Sequence, residues 1–121
     1  MIEALQLLPG FARLDADALQ VIISRSNLRR FAPGQTVLAA GKVADVLLGC
    51  IDGELVGAGG TAAPPVFDAP GLLFGLEARQ EYRAGSSGLA ALAVPKPYVF
   101  TIAREFPEFI VALIGLGEAT P

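Results

Sequence analysis

Histidine is absent from this chain of 121 residues. Its absence removes Ser-His and Cys-His catalytic pairs, the commonest metal ligand and the usual general base near neutral pH. A single cysteine, Cys50, rules out an internal disulfide, and its apolar, strand-like surroundings read as those of a buried structural thiol. Charged residues make up only 17% of the chain, and its nine basic side chains form no stripe interleaved with aromatics. That argues against direct nucleic-acid binding. Neither a phosphate-cradling Walker loop nor a GxGxxG occurs. The apolar stretches, such as Phe109 to Gly117, fall well short of the roughly 18–20 residues that cross a bilayer. Glu3 stands where a secretion signal carries basic residues. The expectation is a cytoplasmic domain without a membrane span, metal or cofactor, and not an enzyme. Its single carboxylates beside turn residues, Asp45, Asp52, Asp68 and Glu77, read as turn-stabilising or solvated groups.

What the chain does contain is 53% hydrophobic residues, ample for one buried core, with fourteen Gly and nine Pro spread along it as punctuation. Asp15 is placed as an N-cap, with Leu14 before it and Leu19 at the fourth helical position forming a hydrophobic staple. This predicts a helix over about 15–25. From Leu28 short runs of Val, Leu, Ile and Phe bounded by Gly, Pro or Asp predict successive short strands. Arg29-Arg30-Phe31, Thr36-Val37-Leu38, Val46 to Ile51 and Glu54-Leu55-Val56 are the first four, with a tight hairpin turn at Asp52-Gly53. Gly57 to Pro65 reads as a loop before Val66-Phe67, a turn at Pro70-Gly71 and the run Leu72-Leu73-Phe74. Leu89 to Val94 and Tyr98 to Ile102 are further strand candidates, separated by Pro95-Lys96-Pro97. Pro107 and Glu108 suit the start of a C-terminal helix over about 106–117, whose apolar face includes Phe109, Ile110, Leu113, Ile114 and Leu116. So apolar a helix implies docking onto the strands or contact with another chain.

In this order, Leu14 with Leu19, Arg30-Phe31-Ala32-Pro33-Gly34, Gly41, Leu47-Leu48 to Gly53, Pro70-Gly71, Phe74-Gly75 and Tyr98 to Ile102 resemble the cyclic nucleotide-binding domain family. This is the sensory module of catabolite-activator-type regulators, and the likeness covers most of residues 1–121. It implies a mainly β fold: an eight-stranded, jelly-roll-like β-roll over about 28–102, with short flanking helices at both ends. It also implies a phosphate-binding cassette, in which a short helix offers N–H groups to a cyclic phosphate, an arginine neutralises it and a glutamate after Phe-Gly accepts from the ribose 2′-OH.

The chain departs from that pattern. Leu76 stands where the acid after Phe74-Gly75 belongs, and Glu77 comes one residue late, a rotation of about 100° in a helical turn. Aligned backward from Tyr98 to Ile102, the arginine position holds Ser87-Gly88 and supplies no charge. Aligned forward from Phe74-Gly75, Tyr82-Arg83-Ala84 fits better, with an insertion containing Gly85-Ser86-Ser87-Gly88. Arg83 is then the candidate phosphate partner, against an exposed arginine paired with Glu81 or water. The insertion is a surface loop or a nest of backbone amides for an anion. The candidate ligand site is therefore Phe74, Gly75, Glu77, Arg83, Ser86 and Ser87.

The leading expectation is a regulatory module with weak or lost cyclic nucleotide binding, acting through another small ligand or through protein contacts. The alternatives are a working receptor for cAMP or cGMP, and a structural or homodimerisation domain using the C-terminal helix. The related cupin roll is the most distant reading, because its metal-binding histidines are missing.

Overall fold

Asp15 caps helix α2 (Ala16–Ser24), its Oδ1 accepting the Ala18 N–H at 2.8 Å, and Leu14 and Leu19 are both buried as a staple requires. This computed structural model describes residues 1–63, 66 and 69–118, the side chains of 58, 69, 70 and 114–118 excepted. Ahead of α2 lie α1 (Ile2–Gln6) and a 310 turn over Phe11–Arg13. The strands are β1 (Asn27–Phe31), β2 (Thr36–Leu38), β3 (Val46–Val56) and β4 (Tyr82–Pro95). The remaining helices are α3 (Ala69–Phe74), α4 (Lys96–Glu105) and α5 (Pro107–Glu118). None of the described helices is long and apolar enough to cross a membrane.

One antiparallel sheet organises the fold, with β4 at its centre: β1 and β2 pair along one edge of β4 and β3 along the other. The expected eight short strands are thus four among the described residues, because two of them are long and bent. β3 does not turn at Asp52-Gly53. It continues through as a bulge, with register shifts between Cys50 and Asp52 and between Gly53 and Leu55. Opposite this bend, β4 carries the four residues Gly85 to Gly88 between the partners of Leu55 and Gly53. The surface loop or nest expected there is a bend inside a strand. Gly53 (φ +83°) and Gly88 (φ +79°) meet at the corner, where a Cβ on Gly53 would collide with the Gly88 carbonyl. Glycine is required at this crossing.

Two further runs read as strand are helical. Leu72–Phe74 lies in α3, so Pro70-Gly71 sits within a helix and not at a turn. Tyr98 to Ile102 lies in α4, for which Pro95 is the N-cap and Pro97 occupies the first turn. The spacing of Val99 and Ile102 buries both on one face. The expected helix from Pro107 is present. Phe67 of the Val66-Phe67 run, Pro64, Pro65 and Asp68 lie outside the described residues, as do the side chains of Ile114 and Leu116.

β4 is buried on both faces, which explains its unbroken apolar run from Leu89 to Val94. Leu92 and Val94, with Leu47 of β3, pack into a core shared with the helices. Ala91 and Ala93, with Leu48, Leu55 and Leu89, fill the inside of the roll. Phe109 of α5 closes the helical core, its ring edge-to-face with Phe11 at 5.1 Å and 83°. Phe109 and Leu113 are therefore docked onto this chain and not presented to another.

Candidate functional site

The expected site residues divide between two regions. Phe74 ends α3 with its ring exposed, Gly75 follows at φ +67°, and Glu77 is exposed in the segment leading to β4. That segment is tied down by backbone bonds between Ala78 and residues 41 and 42. Phe74-Gly75 thus closes the short helix, leaving Glu77 beyond its C-terminal end. Arg83 and Ser86, by contrast, line an open cleft of about 720 Å3 on which the Gly57–Gly60 turn borders. Phe74, Gly75 and Glu77 are not part of that cleft. Ser87 lines a separate recess of about 200 Å3 together with Arg30 and Asp52.

Strand register decides where Arg83 faces. It stands opposite Val56 on β3 and Thr36 on β2, while its neighbour Ala84, opposite Leu55, is buried inside the roll. Alternation along a strand then sends Arg83 to the outer face. There its Nε donates to Glu81 Oε1, forming an ion pair whose members are both partly exposed. A second carboxylate, Glu54, lies over Gly85, where a side chain would leave it no room. The cleft accordingly holds one guanidinium and two carboxylates. Sequence reasoning had considered Glu81 as a partner of Arg83 but missed Glu54, because only the β3–β4 register brings them together.

Among the described residues no buried side chain is polar or charged. Cys50, half-buried in β3, is, among the described residues, the titrating group clearly perturbed: burial pushes its thiol from the usual 9.0 up to about 11. Among the described residues no cluster of acids and cysteine has the makings of a metal site.

The architecture, a bent antiparallel roll with helices packed at both ends, is that of a cyclic nucleotide-binding domain. The particular likenesses are these. The Thermus thermophilus catabolite activator protein superposes with a TM-score of 0.72 at 18% identity, over 89% of this chain and 55% of that one. A putative cAMP-binding regulatory protein from Silicibacter pomeroyi gives 0.70 at 15% identity, over 94% and 57%. A putative cyclic nucleotide-binding protein from Geobacter metallireducens gives 0.66 at 17%, over 93% and 95%. The chain thus spans little more than half the length of the first two. No protein-family model matches the sequence, and no curated protein matches it.

Proposed function

We propose that this chain is a regulatory or sensory module of the cyclic nucleotide-binding fold in which nucleotide binding is weak or lost, and not an enzyme. It acts through a different ligand or through protein contacts. The observation that carries this reading is the state of Arg83: the one cation lining the cleft is engaged by Glu81 and shares the space with Glu54. A cyclic phosphate entering there meets a net negative charge. It forgoes charge-assisted hydrogen bonds worth about 1.5–3 kcal/mol each, or one to two decades of affinity. The acid that would accept from a ribose, Glu77, lies outside the same cleft.

The test is isothermal titration with cyclic AMP and cyclic GMP, for the parent chain and for Arg83→Ala. The expected result is no saturable binding of either nucleotide up to about 1 mM, a free energy no better than about −4 kcal/mol. Tight binding abolished in Arg83→Ala would instead establish a working receptor with a rearranged cassette and overturn the proposal. Tight binding that survives Arg83→Ala would overturn it as well, and would place the ligand elsewhere in the fold.

A further inference from the structure

A second cleft, of about 520 Å3, is lined by residues of α2 and α4 and shares no residue with the one around Arg83. Its walls are two helical stripes. Ala18, Val21, Ile22 and Arg25 recur along α2, and Tyr98, Thr101, Ile102 and Glu105 along α4, each at the three- and four-residue steps of one helix face. The cleft therefore runs the length of both helices. At nine and ten residues these give a trough about 14–15 Å long, which matches a helix of two to three turns.

The cleft is lined by apolar side chains together with three carboxylates and one guanidinium. Ile22 and Ile102 are buried in its walls, whereas Val21 is 48% exposed. Asp15, Asp17 and Glu105 line it against a single cation, Arg25, which is held over the Tyr98 ring at 5.7 Å. Asp15 is engaged as the cap of α2. Asp17 and Glu105 have no ion-pair partner among the described residues. From this charge pattern the geometry points to a docking site for an amphipathic helix of a protein partner, one that lays apolar residues at i, i+3, i+4 and i+7 along the trough and carries Lys or Arg on its flanks. This surface is an output contact, independent of whether any ligand enters the cleft at Arg83.

The probe is a fluorescein-labelled, 14-residue helical peptide with leucines at that spacing and flanking lysines, set against the same peptide with glutamates for lysines. Anisotropy titrations of the full chain should show saturable binding of the lysine peptide at least tenfold tighter than that of the glutamate peptide. Glu105→Lys, at a helix C-terminus that favours a cation, should reduce the preference to below threefold. Val21→Gln, at an exposed position, should weaken the lysine peptide at least threefold with an unchanged circular dichroism spectrum. Failure of the lysine peptide to bind, equal binding of both peptides, or an undiminished preference in Glu105→Lys would each overturn the inference. So would Val21-dependent sedimentation with phosphatidylglycerol vesicles in place of peptide binding, which would make the surface a lipid contact.

Discussion

Replacing Gly53 by alanine tests the central feature of the fold, the corner where β3 and β4 bend together. Gly53 has φ +83°, and a Cβ placed on it would strike the Gly88 carbonyl oxygen and lie 3.0 Å from the Gly88 carbonyl carbon and the Leu89 Cα. Two costs add. Left-handed backbone in a residue with a Cβ costs about 1–2 kcal/mol. Overpacking against backbone, which has no rotamer to swing away, costs about 1–3 kcal/mol more. A total of about 2–5 kcal/mol is a large part of the roughly 5–15 kcal/mol available to a domain, and lowers Tm by about 8–20 °C. Gly75→Ala is the internal control, because Gly75 has φ +67° with nothing within 4 Å of its absent Cβ. It should show the backbone cost alone. Urea unfolding followed by circular dichroism, with calorimetry for Tm, measures both variants. If Gly53→Ala is no more destabilised than Gly75→Ala, the two strands do not cross as closely as described and the corner argument is wrong.

Asp15→Ala should lose about 1 kcal/mol by removing the acceptor for the Ala18 N–H, while Asp15→Asn retains most of it; thermal melts of the pair separate capping from charge. Phe109→Ala should cost about 3–5 kcal/mol in urea unfolding, because Phe109 is fully buried against Phe11. A variant that stays folded and changes only its sedimentation mass would show that this face of α5 belongs to an interface instead. The Cys50 thiol, pushed up to about 11 by burial, should react with a disulfide reagent far more slowly at pH 8 in the native chain than in urea. Because the native state then holds a proton that the unfolded chain has released, stability should fall as pH rises from about 9 to 11; urea midpoints that do not move across that window would contradict the burial of the thiol.

Local chemistry was legible wherever a signal is carried by a few adjacent residues. Asp15 with its staple, the Thr36–Leu38 strand and the start at Pro107 depend on capping geometry or on short-range pattern, and each lies where the residues place it. The order of motifs also carried the resemblance to the cyclic nucleotide-binding fold. Tyr98-Val99-Phe100-Thr101-Ile102 misled because its β-formers are locally indistinguishable from a strand. The Pro95 cap and the joint burial of Val99 and Ile102 against the helical core make it a helix, and that preference is tertiary. Asp52-Gly53 has the composition of a hairpin turn, yet the positive φ that Gly53 supplies serves a bulge, because β4 bends beside it through Gly85 to Gly88.

Composition and motif order alone therefore determined the absence of histidine and a β-rich fold between helices. Tertiary structure decided where the side chains singled out in the sequence stand, with Arg83 and Ser86 at one cleft and Glu77 outside it. An arginine's role depends on which face of the sheet it occupies and what stands across from it, and a register shift of one residue reverses that face. Only the pairing of β2, β3 and β4 sends Arg83 outward, joins it to Glu81 and sets Glu54 beside them. Likewise only the tertiary fold brings Val21 and Ile22 of α2 and Ile102 of α4, far apart in sequence, to the walls of one cleft.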